Sequence, residues 1–241
     1  MAEPQPRMAG PRPTGRMRPG VLVLTTLAIA SCGEGEPPPG PPDPVLLLGQ
    51  AAGRMESVGS FAFLLEHENG ATTITQGLQM VRAEGRMVGR DRMEAQLQAM
   101  VGPVALEVGI IVLPEGSWMT NPLTGQWVPE AVRVSQFFDP ATGVSALLRG
   151  IPEATLVGSE VIDGTSAHRI EASVPSEALA GLVPQAAPGR EVHVRAWIGE
   201  ADPVLHQLEI VGGVQEGELE TLVRRLTFSE FGSSFTIDPP S

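Results

Sequence analysis

Val104-Ala105-Leu106-Glu107-Val108-Gly109-Ile110-Ile111-Val112 decides the fold. Val104, Leu106, Val108, Ile110 and Val112 recur at every second residue, the period of a strand with one buried face. On an α-helix the same positions would spread around the whole circumference. Gly102-Pro103 separates this stretch from another strand-like run at 91–101, and Pro114-Glu115-Gly116 ends it on the other side. Outward, the same pattern recurs at 60–68, 77–88, 117–121, 126–129, 154–162, 165–174, 190–199, 204–212 and 220–231. Asn69-Gly70 and Asp163-Gly164 carry hairpin chemistry, and Pro122-Leu123-Thr124-Gly125 marks a further turn. Such short connections require antiparallel neighbours, because a parallel pair needs a crossover of a dozen residues or more.

Three helices interrupt the strands. Leu46, Leu47, Leu48, Ala51, Ala52, Met55 and Val58 recur at three- and four-residue spacing, which predicts an amphipathic helix from Val45 to about Gly59. Asp139-Pro140 opens a second over Ala141 to Arg149, with Gly150 beyond its end. Ser176 starts a third, Glu177 to Val183, between Pro175 and Pro184. The fold class is therefore α+β: a single curled antiparallel sheet of about eleven strands, a half-barrel, with about three helices on its concave side. Val192, Val194, Ala196 and Ile198 form a second apolar row, Ile170, Ala172 and Val174 a third, and Leu208 and Ile210 a fourth. Two readings stay open: a packed core, or a wall too thinly covered to close, which leaves a hollow lined by aliphatic side chains.

The N-terminus carries its own signal. Arg7, Arg12, Arg16 and Arg18 precede the apolar run Val21 to Thr26, and Leu27-Ala28-Ile29-Ala30-Ser31-Cys32 follows. A basic region, a short apolar region and small residues at a cut make an export signal. The apolar run is about ten residues, too short for a bilayer core that takes about 20. Cys32 is the one cysteine of the chain. The stretch resembles the lipobox of bacterial lipoproteins, which implies a diacylglyceryl thioether on Cys32, cleavage before it, and acylation of the new amine. Two or three acyl chains anchor a protein stably where one does not. Gly33 to Pro44 reads GEGEPPPGPPDP, a semi-rigid spacer that reaches some 30–40 Å at about 3.1 Å per residue. The expected organisation is a signal peptide at 1–31, a lipidated cysteine and linker at 32–44, and a binding domain at 45–238.

Composition narrows the function. Beyond Ser31 the chain carries 12 basic and 27 acidic residues, a net charge of −15. Nucleic acid and anionic headgroups call for basic patches, so neither is expected as an electrostatic partner. One cysteine rules out an intramolecular disulfide and a thiolate metal site. His67, His168, His193 and His206 each stand alone in a strand, no G-x-S-x-G or H-E-x-x-H motif occurs, and Glu216, Glu218 and Glu220 read as a solvated acidic turn. No catalysis, cofactor or metal is expected. Trp118 and Trp127 flank a turn, as packing or as the rim of a hollow; Met80, Met87, Met93 and Met100 are core filling or a pliable lining.

Gly125-Gln126-Trp127, Phe138-Asp139-Pro140-Ala141-Thr142-Gly143-Val144 and Leu147-Leu148 are similar in order and spacing to the LppX/LprG-type (LppX/LprA/LprF/LprG) lipoproteins of mycobacteria. So are Gly158-Ser159-Glu160, Ile162-Asp163-Gly164 and Ile170-Glu171-Ala172-Ser173-Val174. The resemblance runs from about Val45 to Thr236. It implies a half-barrel related to LolA and LolB that binds acylated lipids or glycolipids and moves them through the cell envelope, held by Cys32 on the outer side of the cell membrane and working with a lipid transporter. The family cavity is defined by apolar character, so the lining is chosen from the rows above: Phe63, Leu97, Leu106, Val108, Ile110, Ile170, Val194 and Leu208. The other class of function open to the same sheet is an envelope sensor or protein-interaction module whose hollow is filled by its own side chains.

Overall fold

Two meanders meet along one central seam. The computed structural model describes residues 40–75, 78–130 and 142–240; Cys32 and the Asp139-Pro140 helix start fall outside them. In the first meander β3 (Leu78–Val88), β4 (Arg92–Val101), β5 (Val104–Leu113), β6 (Gly116–Thr120) and β7 (Trp127–Pro129) follow one another outward. The second runs inward from β8 (Thr155–Ile162) through β9 (Thr165–Pro175), β10 (Glu191–Gly199) and β11 (Leu205–Val211) to β12 (Val223–Ser229). β1 (Ser60–Glu68) lies between β3 and β12 and is antiparallel to both. A short β2 (Thr72–Thr75) pairs with β3, so the sheet has twelve strands where the sequence pattern predicts eleven. It is a single open antiparallel sheet, curled as a half-barrel.

The register follows from the two faces. Val108, Leu97, Ala83, Leu65, Leu226, Leu208, Ala196, Ile170 and Leu156 are successive partners across nine strands, an unbroken apolar row on the concave face. One residue along each strand, the other face carries Glu171, Arg195, Glu209, Arg225, Glu66, Arg82, Gln98 and Glu107, again in register. Arg195 meets Glu209 at 3.2 Å, Arg225 meets Glu209 and Glu68 at 2.8 Å, and Arg82 meets Glu66 at 2.6 Å. Half-exposed pairs of this kind contribute little stability each, but opposite charges face each other only in this pairing. A slip of one residue would put charge inside and leucine outside.

The concave face is covered by α1 (Pro44–Ser57) and α2 (Thr142–Gly150). Asp43 caps α1 by accepting from the Val45 and Leu46 amides at 2.8 and 3.1 Å, with Pro44 in the first turn. Leu48, Ala51, Ala52 and Met55 form its buried stripe, and Val144, Leu147 and Leu148 that of α2. Ser145 Oγ donates to the Ala52 carbonyl at 3.3 Å, and Arg149 pairs with Glu56, so the two helices pack as one layer. The third predicted helix is shorter than expected: Ser176–Leu179 is a single 3-10 turn, followed by turns in which the Leu182 and Val183 amides both donate to the Leu179 carbonyl. A side chain at Gly143 would come within 2.7 Å of the Gly181 carbonyl oxygen, so α2 approaches these turns backbone to backbone.

The C-terminal segment returns over the open face. The Gly232 amide donates to the Ser60 carbonyl at 2.8 Å, and Ser60 Oγ donates to the Ser233 carbonyl at 2.6 Å. Arg86 lies 5.3 Å over the Phe235 ring, and Ile237 is buried against Ile111 and Leu113 in a second small apolar cluster. The strap thereby covers β1, β3 and β5 on the side away from the helices.

Gly85 tests the central packing. A Cβ there would stand 2.2 Å from the Glu94 carbonyl oxygen and 2.8 Å from Phe63 Cζ, whereas one at Gly158 meets nothing. Gly85→Ala is expected to lower the unfolding free energy by about 2–3 kcal/mol in urea titration, and Gly158→Ala to change it by less than about 1.

Candidate functional site

The eight residues chosen from the sequence all lie on the concave face. Val108, Leu97, Leu208 and Ile170 share the central row. Phe63 and Ile110 belong to the next row, through Gly85 and Ala95; Leu106 and Val194 belong to the row on the other side. Seven are buried and Leu106 is half-buried. The seven buried ones belong, with the buried stripes of α1 and α2, to one continuous apolar core, in which Phe61 is edge-on to Phe228 at 5.5 Å; Leu106 lies outside it. The void bounded by Leu65, Leu182, Val183, Ile210 and Leu226 measures about 10 Å3, at the limit of what admits one water. At the tip of the β4–β5 hairpin the wall continues past its cover: Val101 and Val104 are 45% and 54% exposed, next to half-buried Leu106.

Of the methionines, Met80, Met87 and Met93 are buried in this core. Trp118 and Trp127 lie on the opposite face, beside Ile111, Leu113 and Ile237.

One polar cluster sits on the concave face, and the sequence reading missed it. Arg224 occupies an inward position of β12, in line with Leu226 and Phe228, and faces His67 of β1. Its Nε donates to Thr72 Oγ1 at 2.8 Å, and its Nη2 is paired with Glu218. The His67 Nε2 lies 2.8 Å from the same Thr72 hydroxyl, and its Nδ1 lies 3.0 Å from the Val81 carbonyl. Glu218 also accepts from the Val214 and Gln215 amides at 2.8 Å, so it holds its loop closed and is not the solvated acid the sequence suggests. Gln215 bridges further, accepting from the Thr73 amide at 2.8 Å and donating to the Thr73 and Pro184 carbonyls. The signal for Arg224 lies in its alternation with Leu226 and Phe228, at every second residue of β12.

Burial pushes the His67 imidazole down to about 4, helped by the positive charge of Arg224 and opposed by the Val81 carbonyl and Glu218. Desolvation likewise lowers the Arg224 guanidinium, against the pull of Glu218.

The other histidines form no relay. Ser159 Oγ is hydrogen-bonded to Glu200 and lies 3.4 Å from His168 Nδ1, the same nitrogen that faces Glu200 at 3.6 Å. A nucleophile–base pair would need the serine on the nitrogen opposite the acid. His193 Nδ1 lies 3.1 Å from Ser173 Oγ, and His206 stacks edge-on against Phe231. Among the described residues no group of acids and histidines has the arrangement of a metal site, and no helix is long and apolar enough to cross a membrane.

The cluster has a pH signature. Between pH 6.5 and about 4 the unfolded chain takes up a proton that folded His67 refuses, so stability is full above 6.5 and falls as pH drops through this window. His67→Gln is expected to remove about 2 kcal/mol of that pH dependence relative to the parent protein, read from urea titrations at pH 7 and pH 4.5.

With fold and site in view, comparisons with known proteins agree with each other. The crystal structure of LprF from Mycobacterium bovis superposes with a TM-score of 0.64 at 15% identity, over 84% of this chain and all of that one. The structure of the Mycobacterium tuberculosis lipoprotein LppX gives 0.60 at 20% identity, over 82% of this chain and all of that one. In sequence, the chain is 30% identical over 108 residues to the lipoarabinomannan carrier protein LprG of Mycolicibacterium smegmatis, spanning 45% of this chain and 43% of that protein. It is 38% identical over 66 residues to LppX of Mycobacterium tuberculosis, named as a candidate phthiocerol dimycocerosate transporter, over 27% of this chain and 28% of that one. Each of these two sequence matches covers less than half of the relative's length. Residues 43–237 match the model of the LppX_LprAFG lipoproteins, and the chain belongs to that family.

Proposed function

We propose that this protein is a lipid-binding carrier of the cell envelope, anchored through lipidated Cys32 on the outer side of the cell membrane. Residues 1–31 serve as its signal peptide, 32–44 as anchor and linker, and 45–238 as the binding domain. The observation that carries this reading is the apolar row that crosses nine strands on a concave wall whose apolar face continues, uncovered, to Val101 and Val104 at the β4–β5 tip. Acyl chains need no hydrogen-bond geometry, only aliphatic wall and the exclusion of water. Burying several hundred Å2 of acyl surface supplies about 10 kcal/mol before ordering and association costs. The relatives support the class of cargo, since one is named as a lipoarabinomannan carrier and another as a candidate phthiocerol dimycocerosate transporter.

In this reading Phe63, Leu97, Leu106, Val108, Ile110, Ile170, Val194 and Leu208 face the acyl chains. The two α-helices move off the wall as one layer to admit them, because side-chain packing and not main-chain hydrogen bonding holds that layer to the sheet. Acylated lipids or glycolipids enter past the β4–β5 hairpin and pass to or from a lipid transporter.

Native mass spectrometry of the gently purified protein is expected to show co-purifying acyl lipid; its consistent absence would favour a sensor or interaction module instead. Leu106→Trp narrows the proposed mouth at a half-buried position. It is expected to reduce uptake of a fluorescent fatty-acyl probe about tenfold while the melting temperature stays within a few degrees, and Val161→Trp on the far edge is expected to leave uptake unchanged.

A further inference from the structure

The open face holds a groove that the carrier reading leaves unused. It lies across β1, β3 and β4, with a volume of about 400 Å3, bounded by Leu64, Glu84, Arg86, Glu94, Gln96 and Trp127. One wall is the Trp127 indole, which reaches in from β7. It rests on Gly109, where a Cβ would stand 2.8 Å from Cη2, so glycine at 109 is what lets the ring lie down on the sheet. The Gly109 amide, left without a main-chain partner on β6, donates to Thr120 Oγ1 at 2.8 Å, beside the Thr120–Trp127 pairing that carries the ring. Toward the C-terminal strap the groove ends at Arg86, whose guanidinium is occupied by the Phe235 ring.

Three polar side chains of the groove stand unpaired. The Glu94 carboxylate, the Gln96 amide and the Trp127 indole N–H have no hydrogen-bond partner among the described residues, on a face where most charges are paired across strands. An aromatic wall, a carboxylate, an amide and an indole donor around an open trough match a ligand with apolar C–H faces and many hydroxyls. Two carboxylates, Glu84 and Glu94, outnumber the one arginine of the lining, Arg86, so the trough does not attract anions. From this we infer that the groove is a second binding site, for a neutral glycan of two or three sugar units that stacks on Trp127 and donates hydroxyls to Glu94 and Gln96. The site is on the opposite side of the sheet from the apolar row and does not rest on the carrier reading. The same glycan chemistry is offered by a free polysaccharide and by the head of a glycolipid.

Isothermal titration with maltotriose, α-mannotriose and chitotriose, beside trigalacturonate as the anionic comparator, tests it on the full mature protein. At least one neutral trisaccharide is expected to bind with Kd on the order of 1 mM and to shift the Trp127 indole resonance, with trigalacturonate at least about tenfold weaker. Trp127→Ala is expected to weaken binding about tenfold or more. Glu94→Ala and Gln96→Ala, at exposed strand positions that leave the fold intact, are each expected to weaken it several-fold. Acyl-probe uptake stays unchanged in all three variants. No saturable binding up to about 20 mM, equal binding of the anionic sugar, or indifference to the Glu94 and Gln96 substitutions would overturn the inference. So would a glycan recognised solely as the head of a glycolipid and lost in Leu106→Trp, because that places recognition at the acyl site; loss of acyl uptake by the parent protein strikes the carrier reading alone.

Discussion

Everything in this sheet hangs on the seat of β1 between β3 and β12. Seven residue pairs join β1 to β12, and seven more join it to β3. Each meander is locally connected, and among the described residues β1 alone pairs with strands of both. Phe61 and Phe63 are fixed by this seat, one against Phe228 and the other over Gly85, and the nine-strand apolar row exists only because Leu65 completes it. The strap that follows β12 then ties back to Ser60 at the start of β1, so the two ends of the domain hold each other across the seam.

The sheet was legible because its signal is redundant. Alternation in Val104–Val112 and Val192–Ile198 reports both the strand and its inward face, and Asp163-Gly164 sits in the turn with φ of 47° and 82°, the conformation a two-residue hairpin needs. β2 escaped notice because it has four residues with Ile74 as its one large apolar side chain. Its outer edge is held by Gln215, a side chain from 142 positions away in sequence. The third helix was over-read for the opposite reason: Ala180 to Val183 has helical composition, but the close approach of Gly143 to Gly181 leaves room for tight turns alone.

The functional face divides the same way. Apolar inward positions follow from periodicity, and all eight sequence-chosen residues are on the concave side. What periodicity does not carry is partnership. Arg224, Glu218, His67 and Thr72 come from four segments and become a site only in three dimensions. A buried ion pair gives little net stability compared with apolar side chains of the same size. Its effect here is to place strong polarity at one end of the concave wall, beside Leu65, Leu226 and Ile210. The opposite face shows the complementary economy, with most charges cancelled across strands and a few polar groups around Trp127 left unspent.

The sheet ends at β7 and β8 without meeting itself. In a closed barrel, strand number and shear together set the radius, and the lumen has one size. An arc with free ends has no such condition. Small changes of twist at successive strand pairs open or tighten it without breaking a ladder, and the helix layer follows as a unit because α1 and α2 are bonded to each other. The radius of this wall is therefore set by the twist of its strand pairs and not by closure, and the same ladder of hydrogen bonds is compatible with more than one curvature.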